Sequence, residues 1–154
     1  WGNKGDAIPQ IKRFLSEVKQ GRVPQTLWSY KEAGHTQDAK KELVSICDFE
    51  DSASVFITPK PTKQLDRILK VGADKDSLIM DSFAGSGTTG HAVMQMNKRD
   101  GGSRRFIMVE LDDKIAGGVT AQRLTRAAEG YHPGGDTAKE RVPGLGSGFR
   151  FCSR

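Results

Sequence analysis

Asp81-Ser82-Phe83-Ala84-Gly85-Ser86-Gly87-Thr88-Thr89-Gly90 is the stretch that decides the fold of this chain. It follows the short apolar run Ser77-Leu78-Ile79-Met80 and leads into a helical stretch from Thr88 to about Asn97, with Ala92, Val93 and Met96 inward. Asp100-Gly101-Gly102-Ser103 then reads as a turn, and Arg105-Phe106-Ile107-Met108-Val109-Glu110 as a second buried strand that also ends in an acid. Strand, Gly-rich turn, helix and strand make a βαβ unit, which builds a parallel sheet with a right-handed crossover. A last helix is predicted from about Asp113 to Gly130, interrupted by Gly117-Gly118. Each glycine there costs roughly 1 kcal/mol against alanine.

Upstream, residues 8–20 place Ile8, Ile11, Phe14, Leu15 and Val18 at helical spacing, with Pro9 in a tolerated first turn. Residues 22–36 read as extended or loop, 37–47 as a short helix, and 48–54 as an acidic linker. Val55-Phe56-Ile57 suggests a short strand, stopped by Thr58-Pro59-Lys60-Pro61, whose prolines belong in neither a helix interior nor a central strand. A helix follows at about 62–71, with Leu65, Ile68 and Leu69 on one face. The stretch 131–147, rich in Gly and Pro, reads as loop, and Gly148-Phe149-Arg150-Phe151 as a terminal strand. The expected fold is α/β, a Rossmann-like, mostly parallel open sheet around residues 55–128.

The 154 residues suit one domain. With 36% hydrophobic and 28% charged residues, the chain reads as globular. No run approaches the roughly 20 apolar residues that span a bilayer, and no segment reads as a signal peptide. The first residue is Trp1 rather than Met, so the chain is expected to be part of something longer. The net charge of +5 permits a polyanionic partner without demanding one. Cys47 and Cys152 have no clustered Cys or His companions, so no zinc site is expected, and free thiols in a reducing cytosol are favoured over a disulfide.

Gly85, Gly87 and Gly90 fit a GxGxxG spacing, and Glu110 lies twenty residues past Gly90, so a nicotinamide or flavin protein must be weighed. Asp81 argues against it. A pyrophosphate at that strand end would meet a carboxylate, and like charges at about 4 Å repel by several kcal/mol at intermediate dielectric. S-adenosylmethionine carries an ammonium and a sulfonium instead, which suit that carboxylate. Glycines let backbone approach a ligand closely, and Glu110 can accept both ribose hydroxyls. The pattern GxxxxGK[ST] of triphosphate-binding loops is absent. The competing structural reading is a tight turn flanked by two solvated acids.

DSFAGSGTTGHAV followed by RRFIMVELDD resembles the cofactor motif of amino-methyltransferases acting on DNA. FITPKPTKQLDRIL at Phe56–Leu69 resembles the segment preceding that motif in the permuted (beta) group, where the catalytic region comes first and the cofactor region last. IKRFLSEVKQGRVPQTLW, GHTQDAKKEL and the tail GLGSGFRF are similar to the modification (Mod) subunit of type III restriction-modification systems. The resemblance covers nearly the whole chain and implies a C-terminal fragment of a DNA adenine-N6 methyltransferase: residues 1–50 after the target-recognition region, 51–130 binding S-adenosylmethionine, and 131–154 as tail. It implies that Phe83, Ala84, Gly85 and Gly87 line the methionine part of the cofactor, that Asp81 holds its amino group and that Glu110 binds the ribose. Lys60, Pro61 and Thr62 would lie beside its carboxylate end, and Leu111 would pack on the adenine. Double-stranded DNA, a second modification subunit and a restriction subunit are the implied partners, in the cytoplasm.

One departure from the family pattern stands out. These enzymes hold the target amine with an Asp/Asn/Ser-Pro-Pro-aromatic tetrapeptide, and the chain contains no Pro-Pro pair. No catalytic residue is therefore expected in this chain, which would hold the donor site without the acceptor site and be inactive alone. A methyltransferase acting on cytosine N4 or RNA, and a non-catalytic S-adenosylmethionine-binding remnant, remain open alternatives. His35 reads as a surface or capping histidine, His91 as structural and His132 as part of the tail. Trp28 and Tyr30, near Arg22 and Lys31, suit either base stacking or ordinary loop packing.

Overall fold

A computed structural model describes residues 14, 16, 21, 23–49, 56, 58–133 and 140–153. The helix expected at 8–20 and most of the 48–57 linker and strand lie outside the described residues. Phe56, the one described residue of the expected strand, is in none; it is half-buried and packs on Leu43, Ile46 and Cys47.

The predicted βαβ unit is present. β1 (Leu78–Asp81) and β2 (Arg105–Met108) pair in parallel, with Leu78 opposite Arg105 and Asp81 opposite Met108. α4 (Thr88–Asp100) connects them. It starts at Gly87 (φ 76°) and stops at Gly101 (φ 67°), both left-handed, a conformation that glycine adopts without a Cβ penalty. α3 (Thr62–Gly72) packs on α4, and Leu69, Ala92, Val93 and Met96 form a core capped by Leu65, Ile79 and Phe106.

β2 was expected to be buried, but it is buried on one face only. Side chains alternate across a strand. Ile79, Phe106 and Met108 face the helices, whereas Leu78, Met80, Ile107 and Val109 are about half exposed or more. Among the described residues, helices cover one face of the sheet.

The region 22–36 is not all loop. α1 (Tyr30–Ala33) forms there because Ser29 and Glu32 close a reciprocal capping box. His35 then caps α2 (Thr36–Ile46), its Nδ1 accepting from the Gln37 N–H at 3.1 Å. The Trp28 indole donates to Gln25 O at 2.6 Å, and its ring lies 4.9 Å from the guanidinium of Arg67 on α3.

The last helix runs as α5 (Asp113–Ile115), a π-helical stretch (Ala116–Ala121) and α6 (Gln122–Glu129). The wide stretch contains Gly117-Gly118, where helical geometry is least favoured. Thr120 Oγ1 reaches back to Ile115 O at 3.2 Å, a span of five residues. Downstream, β3 (Gly130–Tyr131) starts where the last helix was expected to end and pairs antiparallel with β4 (Val142–Pro143), which lies in the stretch expected to be loop, and Gly148–Phe151 forms no strand. Gly130 admits this pairing because its φ is 99° and a Cβ would lie 2.7 Å from Val142 O. Phe149 and Leu145 instead pack on Met94, Leu124 and Ala127. Both cysteines are free, Cys47 buried and Cys152 exposed.

Candidate functional site

The carboxyl ends of β1 and β2 lie side by side, and backbone bonds extend the ladder past them. Val109 N–H donates to Asp81 O at 2.8 Å, and Ala84 N–H to Val109 O at 2.9 Å. The Gly turn is thereby seated against the residues before Glu110. Gly85 (φ 52°) and Gly87 (φ 76°) take conformations that side chains resist. Gly90 serves packing, since a Cβ would sit 2.7 Å from Met108 Sδ and 2.8 Å from Leu124 Cδ2.

Both strand-end acids fasten this turn. Asp81 Oδ1 accepts from Phe83 N–H at 3.1 Å, and Oδ2 from Thr89 Oγ1 at 2.5 Å. Glu110 Oε2 accepts from Gly85 N–H at 2.8 Å, and Oε1 from the N–H groups of Leu111 and Asp112 at 2.9 and 3.2 Å. The Gly85 carbonyl is held as well, by Thr120 Oγ1 at 2.6 Å. A carboxylate has about four lone-pair sites, so each acid shapes the turn and keeps capacity to accept from a ligand. Phe83, in the turn, and Leu111, next to Glu110, are 88% and 96% exposed. Two carboxylates beside two open apolar side chains suit a ligand with cationic and hydroxyl-bearing parts and a flat apolar one.

Asp81, Phe83, Ala84, Gly85, Gly87, Glu110 and Leu111 thus gather in one place. The Lys60–Thr62 segment joins them through the start of α4: Thr88 Oγ1 donates to Lys60 O at 3.2 Å. Pro61 and Thr62 are buried, and Lys60 is exposed. One cleft of about 440 Å³, between α1, α2 and the start of α3, takes in Pro61 and Thr62, and another of about 530 Å³ runs along α3.

A polar cluster that the motif reading missed lies behind it. Arg123, fully buried, donates to Thr88 Oγ1 and Thr62 Oγ1, both at 2.9 Å, and to His91 Nδ1 at 3.3 Å. Glu42 Oε1 lies 3.4 Å from its Nη2. Burial, reinforced by the Arg123 charge, pushes the His91 pKa down to about 3, so the imidazole is neutral. Nδ1 accepts from Arg123, so the neutral ring carries its proton on Nε2; the Gln95 side-chain amide lies 3.1 Å away and accepts that proton's hydrogen bond only with its oxygen turned toward the ring. A signal existed in the sequence: Arg123 shares a helical face with Thr120, Leu124 and Ala127, where a cation is out of place unless paired.

The DNA methylase family profile matches residues 4–120. Over 150 residues the chain is 34% identical to the type III restriction-modification enzyme StyLTI Mod subunit of Salmonella typhimurium, covering 97% of this chain and 21% of that protein. It is 36% identical over 121 residues to the EcoPI Mod subunit of Escherichia phage P1, covering 79% and 17%. It is also 36% identical over 110 residues to the type II methyltransferase M.KpnI of Klebsiella pneumoniae, covering 71% and 25%. The chain therefore spans a quarter or less of the length of these relatives. The match takes in the Gly turn, both strand-end acids and the Lys60–Thr62 segment, and the chain belongs to the DNA methylase family.

Proposed function

We propose that this chain is the donor-binding part of a DNA methyltransferase, with S-adenosylmethionine held at the carboxyl ends of β1 and β2. The observation that carries this reading is the Gly turn fastened at both ends by Asp81 and Glu110 beside exposed Phe83 and Leu111. A dinucleotide pyrophosphate would meet the Asp81 carboxylate, whereas an ammonium is attracted to it. Asp81 takes the amino group and Glu110 the ribose hydroxyls. Phe83, Ala84, Gly85 and Gly87 face the methionine part, Lys60, Pro61 and Thr62 its carboxylate end, and Leu111 the adenine. On this reading the β1–β2 pair is the C-terminal half of a Rossmann-like, mostly parallel methyltransferase sheet.

When bound, the donor supplies a methyl group on a sulfonium. The residues here orient it and exclude other poses, a positioning effect that can supply roughly 7–11 kcal/mol of a barrier. The acceptor amine must leave the base stack to reach that methyl, and the tetrapeptide that orients it is not in this chain. The whole protein, in this reading, methylates adenine N6 in double-stranded DNA in the cytoplasm, as the modification subunit of a restriction-modification system beside a second such subunit and a restriction subunit. The choice of adenine rests on similarity to type III Mod subunits.

Nucleoside mass spectrometry of DNA treated with the full-length protein and S-adenosylmethionine tests the reaction. N6-methyladenine is the expected product, and residues 1–154 alone should transfer no methyl. N4-methylcytosine would move the target while leaving the donor site in place, and transfer by the 154 residues would place an acceptor site within them.

A further inference from the structure

Arg123 carries a charge in a fully buried place, and most of its partners are neutral. Its pKa is lowered by that burial and partly restored by Glu42. An apolar side chain of similar volume often packs as well as a buried ion pair without the desolvation cost. Stability is therefore a weak reason for an arginine here. An apolar residue cannot supply directional bonds, and the directions are specific. Nη1 holds Thr88 Oγ1 at 2.9 Å, with Ser86 O and Oγ each at 3.5 Å, all in or beside the Gly turn. Nη2 holds Thr62 Oγ1 at 2.9 Å, at the start of α3, and Glu42 at 3.4 Å, on α2. Nε holds His91, one turn into α4. Thr62 Oγ1 in turn donates a hydrogen bond to Glu42 Oε1 at 2.5 Å, and Thr88 Oγ1 donates to Lys60 O at 3.2 Å.

We infer that Arg123 is a positioning residue for the methyl-donor site: its guanidinium bolts the Gly turn to the Lys60–Thr62 segment and so fixes the separation of the two walls between which the donor lies. The inference rests on the donor-site reading above. The planar fork matters because one side chain must bond three ways at fixed angles, which a lysine ammonium cannot reproduce. The donor-facing atoms of Asp81, Gly85 and Glu110 are untouched by Arg123, so its effect is transmitted through Ser86, Thr88 and Thr62.

The test is calorimetric affinity for S-adenosylmethionine, with KM for donor and for DNA, on the full-length protein and its Arg123→Met, Arg123→Lys and Thr62→Val variants well below their melting temperatures. Arg123→Met should weaken donor binding about 10- to 100-fold, as a misplacement on the scale of 1 Å does, and raise KM for the donor while KM for DNA stays put. Arg123→Lys should fall between Met and wild type. Thr62→Val should weaken binding alone but add nothing to Arg123→Met, the mark of two residues acting as one unit. Where Arg123→Met does not fold, the lysine and Thr62→Val variants decide. Folded variants that bind the donor as wild type does would overturn the inference and leave the donor site standing. A wild-type protein that binds no S-adenosylmethionine would overturn the donor-site reading, and this inference with it.

Discussion

The two faces of the β1–β2 pair carry similar apolar side chains and have different fates. On one, Ile79, Phe106 and Met108 lie under α3, α4 and α6 beside fully buried Ala92, Val93 and Met96. On the other, Leu78 and Met80 are 54% and 67% exposed, with Ile107 and Val109 close to half exposed. Residues 78–81 and 105–108 supply the same alternation to both faces, so the difference lies in what covers them. Among the described residues, the helical face holds the strands in place, the strand ends hold the Gly turn, and the apolar residues of the open face add little to either.

Truncation breaks the comparison most strongly. Met96→Ala on the covered side should cost about 2–5 kcal/mol in urea unfolding, through lost contact and the cavity left behind. Met80→Ala on the open face should change stability by no more than about 0.5 kcal/mol. Equal costs would mean that the open face is also packed. A smaller effect comes from acid. His91, buried on the helical side, titrates at about 3 when folded against its ordinary 6.5. Between those values the unfolded chain binds the extra proton, so the stability gained by keeping the ring neutral is fully present above 6.5 and is lost as pH falls toward 3. The slope is at most about 1.4 kcal/mol per pH unit. Unfolding midpoints at pH 7.5 and 5.5 should separate more in the wild type than in His91→Gln, and equal separations would place the imidazole in water.

The βαβ unit was legible because its signals are local. Two short apolar runs, each followed by an acid, and glycines at 85, 87 and 90 leave few arrangements open. The position of Asp81 at the end of β1 was legible for the same reason, whereas Glu110, expected to end the second strand, lies two residues past Met108, where β2 stops. Their bonds to Phe83, Thr89 and Gly85 were not, since those depend on where the turn folds back. Burial of β2 was over-read because a run of apolar residues does not say which side is covered. The π-helical stretch showed only as a glycine pair, and the pairing of Gly130–Tyr131 with Val142–Pro143 left no periodicity to find. Arg123 was legible only as a cation on an apolar face; its partners come from three other segments, distant in sequence from α6.

Donor binding at the strand ends is tested most directly by calorimetry of S-adenosylmethionine on the full-length protein, its Asp81→Ala and Glu110→Ala variants, and Glu110→Gln, which keeps one of the two acceptor oxygens that hold the Gly85 and Leu111 N–H groups. Binding to the wild type is expected, with a loss of about tenfold or more in each alanine variant, since each removes a charged hydrogen-bond partner worth about 1.5–3 kcal/mol. Glu110→Gln should lose less than Glu110→Ala. NADH should not bind. Unchanged affinity in both alanine variants, or binding of NADH in place of S-adenosylmethionine, would contradict the account.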